Sequence, residues 1–142
     1  NCVTGFARLM PAAERHGVTL CLELLNSKVD HRDYHADRTW WGVAVAKGVN
    51  HPRFRLLYDV YHMQVMEGDV IATMRANKEW IAHLHTAGVP GRHELDAAQE
   101  LNYRAVALAA ADMGFGGVLA HEFIPARDGV AGLREAVAAC TV

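Results

Sequence analysis

The chain lacks the paired thiols, the long apolar runs and the charge imbalance that mark several large functional classes. Its three cysteines, Cys2, Cys21 and Cys140, are scattered, odd in number and without C-x-x-C spacing, which argues against a disulfide framework or a structural zinc knot and for reduced thiols. No apolar stretch approaches the roughly 20 residues that span a bilayer, and no basic start followed by an apolar segment opens the chain. A cytoplasmic protein with no membrane partner is therefore expected. The net charge of −2, with no interleaving of basic and aromatic residues, speaks against a nucleic-acid partner. What is present, 51% apolar and 21% charged residues over 142 positions, suits a globular chain with one core. Nine histidines are more than an average chain carries, and they matter only if some converge in space.

Hydrophobic patterning divides the chain into helix and strand in alternation. Residues 1–17 read as a helix with Phe6, Leu9, Met10 and Ala13 on one side, bent or restarted at Pro11 and ended by Gly17. Strands are expected at 18–26, 54–61, 80–87 and 117–124, because apolar residues fill both alternating sets, as in strands buried on two faces. Between and after them, helices are expected from an Asp37 cap to Gly48, from Gly68-Asp69 to Asn77, from about Ala97 to Met113, and beyond Asp128. This order specifies an α/β fold with a parallel sheet and right-handed crossovers. A complete (β/α)₈ barrel needs about 250 residues, so about four βα units make half of one. The first residue, Asn1, falls inside a helical pattern without an initiator methionine, and the expectation is a piece of a longer protein.

Each expected strand carries a strong metal-ligand type near its carboxyl end: Glu23, Asp59, His85 and Glu122. In a closed barrel these ends meet at one mouth, where barrel enzymes place their chemistry. Counting by twos puts Glu23 with Cys21, Asp59 with Leu57, His85 with His83 and Glu122 with Ala120, while Leu22, Val60, Leu84 and Phe123 turn toward the outer helices. Three carboxylates and one imidazole form an oxygen-rich set suited to Mg²⁺ or Mn²⁺, with Co²⁺ or Zn²⁺ also compatible. On this pattern the reading is a metal site or an acid/base site.

The blocks LELLN at 22–26, YDVYHMQVMEGD at 58–69, HLHTAGVPGRHELD at 83–96, ELNY at 100–103 and HEFIP at 121–125 closely resemble the C-terminal half of the hydroxypyruvate isomerases, within the xylose-isomerase-like TIM-barrel superfamily. The resemblance implies one domain, residues 1–142, forming the C-terminal half of such a barrel. It implies that Glu23, Asp59, His85 and Glu122 ligate a divalent metal, with Glu23 and Glu122 doubling as the catalytic acid/base pair. His62 and Arg92 would bind the substrate's oxygens and carboxylate. The implied reaction interconverts hydroxypyruvate and tartronate semialdehyde through a metal-stabilised cis-enediolate. The HLHT sequence around His85 is more like the ketose 3-epimerases of the same superfamily, which makes a sugar epimerase the alternative activity and an inactive truncated fragment the second alternative. The implied partners are a small hydroxy-keto acid or sugar and either a second copy of the chain or the missing N-terminal half of the barrel.

Overall fold

The computed structural model describes residues 1–142. The chain runs α1 (Cys2–His16), β1 (Leu20–Glu23), α2 (Thr39–Val49), β2 (Phe54–Asp59), α3 (Val60–Met66), α4 (Val70–Ala76), β3 (Ile81–Thr86), α5 (Tyr103–Asp112), β4 (Val118–His121) and α6 (Gly129–Cys140), with one 3₁₀ turn at Lys78–Trp80. The strands form a single parallel sheet in the order β1-β2-β3-β4. Sequential order in a parallel sheet is what βα units produce when every crossover has the same hand. The register sets Glu23 opposite Leu57, Asp59 opposite His85 and His85 opposite Ala120, so the carboxyl ends of all four strands lie along one edge. None of the helices is long and apolar enough to cross a membrane.

The core lies between the sheet and the helices. Leu56, Tyr58 and Leu84 project from the strands onto the helix side, joined by Leu24 just beyond β1, and are sealed there with Val43, Met63, Met74 and Val106. Removing each such aliphatic side chain from water contributes about 1.5–3 kcal/mol. A second cluster joins Met10 and Ala13 of α1 to Val45, Ala46 and Val49 of α2 over Phe54. The opposite face of the sheet is open: Cys21 is exposed and Leu57, His83 and Ala120 are half-buried. Alternation thus separates the strands as expected, with Leu22 only partly covered.

Several local expectations are corrected. Helix α1 runs unbroken past Pro11 and does not restart there. The second strand stops at Asp59 instead of Tyr61, and Val60–Met66 is a helix that the apolar run concealed. Asp37 does not cap α2; it accepts the Ser27 hydroxyl, while Glu67 receives the backbone N–H of Thr39 at 2.8 Å and its hydroxyl at 2.6 Å. A carboxylate from elsewhere in the chain can satisfy a helix start as well as a local one. The long alanine-rich helix begins only at Tyr103, because Asn102 accepts the Ala105 N–H and fixes the start there. The last strand ends at His121, one residue short of Glu122, whereas Asp128 caps α6 as expected through the Ala131 N–H.

Candidate metal centre

The DVYH spacing has a local cause. Asp59 is the N-cap of α3, and its Oδ1 accepts the backbone N–H of His62 at 3.2 Å, the usual N-cap to N3 contact. One carboxylate therefore serves two purposes: Oδ1 closes the helix start, and Oδ2 is left facing the carboxyl edge of the sheet.

There it meets the other three expected residues. One ligand atom each from Glu23, Asp59, His85 and Glu122 lies within 4.8 Å of the others. His85 Nδ1 is 3.4 Å from Glu23 Oε1, 3.4 Å from Glu122 Oε2 and 3.8 Å from Asp59 Oδ2. These separations are long for strong hydrogen bonds. Glu23 Oε1, Asp59 Oδ2 and His85 Nδ1 are buried without any hydrogen-bond partner, an arrangement that costs free energy unless a further group satisfies them. Three carboxylates and an imidazole turned on a common centre fit a divalent cation, and the group could hold one. Exposure rises across the cluster from Asp59, fully buried, to Glu122, whose side chain is 51% exposed, so the centre is open on the Glu122 side.

Charge and burial set the protonation states. Burial pushes the Asp59 carboxyl up to about 6, against the opposing pull of the His62 N–H and Arg92. His85 holds Glu23 below its ordinary value, and Glu23 first, then Glu122 and Asp59, raise His85. His62 is pushed down to about 4 by burial and next by the nearby Arg92 cation, so its imidazole is neutral at pH 7.

Arg92 and His62, the two expected substrate contacts, border the same centre. Arg92 pairs with Glu122, lies 3.9 Å from Asp59 Oδ2 and sits over the Tyr61 ring at 5.6 Å. Its loop is tight: Gly88 and His93 form an isolated bridge, the Arg92 N–H donates to Gly88 C=O, and a Cβ at Gly88 would fall 2.3 Å from the Glu94 carbonyl oxygen. Gly91 has φ 91 and Arg92 itself φ 60, a left-handed conformation that is uncommon for a non-glycine residue and tends to occur where function demands it. Buried Glu94 anchors the neighbouring loop by accepting the N–H groups of Ala126 and Arg127. Asn26, Asp30 and Tyr61 have no role in the sequence reading, yet Asn26 and Tyr61 meet His62 and Asp30 joins the two by accepting from both. The available signal was Asn26 itself, a polar residue closing an apolar run three positions after Glu23.

The model of the family described as "Xylose isomerase-like TIM barrel" matches residues 1–140, and the chain belongs to that family. It is 35% identical over 122 residues to a 2-oxo-tetronate isomerase of Cupriavidus necator, covering 86% of this chain and 46% of that protein. It is 30% identical over 112 residues to a Homo sapiens protein provisionally named a hydroxypyruvate isomerase, covering 79% and 40%. The crystal structure of an AP endonuclease, family 2, from Brucella melitensis superimposes with a TM-score of 0.86 at 29% identity, over 92% of this chain and 50% of that one. The chain spans about half the length of the relatives it matches.

Proposed function

We propose that this member of the xylose isomerase-like TIM barrel family carries the metal-binding and proton-transferring half of an isomerase that interconverts hydroxypyruvate and tartronate semialdehyde. Residues 1–142 are then the C-terminal half of one barrel domain. The observation that carries this reading is the convergence of Glu23, Asp59, His85 and Glu122 on one centre, with unpartnered buried atoms on three of them.

In this reading the four residues hold one divalent cation, Mg²⁺ or Mn²⁺. When bound, the cation supplies Lewis-acid stabilisation of the negative charge that develops on the substrate oxygens. Glu23 ends β1 and Glu122 follows directly after β4, so the two approach the centre from the opposite edges of the sheet. One of them accepts the carbon-bound proton, and the pair returns it to the adjacent carbon. Fixed geometry compensates for the weak basicity of a carboxylate. The guanidinium fork of Arg92 binds the substrate carboxylate in two contacts, giving up its present pairing with Glu122 and freeing that glutamate. His62, neutral and buried, donates from Nε2 to a substrate oxygen.

A nuclease reading, suggested by the structural likeness to an AP endonuclease, has less support, because the charge balance of −2 provides little for a polyphosphate backbone. The test is turnover by the complete barrel after dialysis against EDTA, with hydroxypyruvate, 2-oxo-tetronate, D-fructose and D-tagatose as substrates. Activity on the oxo acids that disappears with EDTA and returns with Mg²⁺ or Mn²⁺ is expected. Undiminished activity in the chelated enzyme refutes the metal reading, and turnover of the ketoses alone makes the protein an epimerase.

A further inference from the structure

We infer that Asn26 is a positioning residue that fixes the tautomer of His62, so that the imidazole is a one-way hydrogen-bond donor aimed at the centre. The direction of each hydrogen bond around the ring leads to this assignment. The backbone N–H of Asn26 donates to His62 Nδ1 at 3.1 Å. The Asn26 side-chain nitrogen lies 2.7 Å from the same atom. Its amide orientation is not free, because Oδ1 is committed to the N–H groups of Val29 at 3.1 Å and Asp30 at 2.9 Å. Nδ2 therefore faces His62 with one hydrogen and Asp30 Oδ2, at 2.7 Å, with the other. Asp30 Oδ2 in turn accepts the Tyr61 hydroxyl at 2.8 Å.

Two donors directed at Nδ1 leave no room for a proton on it, so the ring carries its proton on Nε2. That atom is buried and has no hydrogen-bond partner, and it stands 3.8 Å from Asp59 Oδ2, beside the four converging ligand atoms. The ring cannot swing away: His31 and Tyr61 meet it edge-on at 5.4 Å and 5.0 Å between centroids, and it is sealed from solvent. A packing histidine would be expected to satisfy both nitrogens. This one satisfies Nδ1 twice and keeps Nε2–H unused, which is the arrangement of a group waiting for an acceptor that enters the centre. The acceptor chemistry is an anionic or carbonyl oxygen of a small substrate, and only that assignment rests on the proposed isomerase reading.

The test begins with the unaltered chain. Long-range ¹H–¹⁵N correlation spectra of the histidine side chains at pH 7, with and without Mg²⁺, should show His62 as the Nε2–H tautomer. A proton on Nδ1, or a doubly protonated ring, overturns the inference. The paired change Asn26→Asp with Asp30→Asn preserves charge but replaces the side-chain donor at Nδ1 with an acceptor while the backbone N–H of residue 26 stays in place, and it should shift part of the His62 population to the Nδ1–H tautomer. Tyr61→Phe keeps the Asn26 amide and should leave the tautomer unchanged. In the complete barrel the paired change should lower kcat/KM about 10- to 100-fold; an unchanged tautomer and rate in that variant refute the role of Asn26. The spectra need no substrate, so a failure of hydroxypyruvate turnover with the Nε2–H tautomer intact would count against the isomerase reading and not against this one.

Discussion

On the helix side of the sheet Leu24, Leu56, Tyr58 and Leu84 are sealed from solvent, whereas on the other side Cys21 is exposed and Leu57, His83 and Ala120 are half-buried. The same four strands build both surfaces, one residue out of phase. The covered face is apolar apart from the Tyr58 hydroxyl, which is buried there without a hydrogen-bond partner, and it is packed within this chain. The open face carries titratable side chains toward its carboxyl edge, and these leave polar atoms unpartnered. Stability and chemistry are thus divided by the period of two in a β-strand, and substitutions on the two faces should fail in different assays.

The largest effect is expected at the open edge. Glu122→Gln in the complete barrel should reduce turnover by about 10²- to 10⁴-fold with an unchanged thermal unfolding midpoint; near-normal rates would remove Glu122 from proton transfer. Next comes a matched pair of neighbours on β2. Leu56→Ala empties a fully buried site and should lower the unfolding free energy in urea by about 2–5 kcal/mol. Leu57→Ala, on the half-buried face, should cost about 1 kcal/mol or less in this chain. Equal losses would break the division between the faces.

A smaller effect is expected from pH. Asp59 has a carboxyl pushed up to about 6 by burial, so below pH 6 the metal-free site holds a proton that a cation must displace. Mn²⁺ affinity measured by calorimetry should therefore fall as the pH drops below 6, by more than about tenfold per pH unit because both Asp59 and His85 must then give up a proton. His85 is raised above its ordinary value, so affinity should still be climbing as the pH rises past the range in which a free imidazole has lost its proton. Affinity independent of pH from 5 to 8 would show that these two groups do not ligate the ion. The smallest expected effect lies far from the centre: Glu67→Gln weakens the cap on α2 made to Thr39 and should cost about 1 kcal/mol without altering Mn²⁺ affinity.

Much of this was legible before the fold. Strand positions showed in apolar runs, and the four ligand types showed because each run ends on one. The helix at Val60–Met66 was hidden because Val60, Tyr61 and Met63 continue the apolar run of β2, and buried helices and buried strands share that composition. The late start of α5 was hidden because alanines at 97–98 look helical, while the cap at Asn102 decides. Asn26 was hidden because its importance lies in which atom of His62 it faces across 36 positions of sequence, and Asp30 because it acts only by holding the Asn26 amide.

By itself the sequence determined the alternation of four strands with helices, the family, and the identity of the four residues at the strand ends, because periodicity and residue type are local properties. Only the tertiary structure decided that their ligand atoms fall within 4.8 Å of one another, that Asp59 divides its two oxygens between a helix cap and the centre, and that His62 is held by Asn26 with Nε2–H free. Those facts depend on strand register, burial and hydrogen-bond direction, which are fixed when distant segments pack together and remove the alternatives that water would otherwise supply.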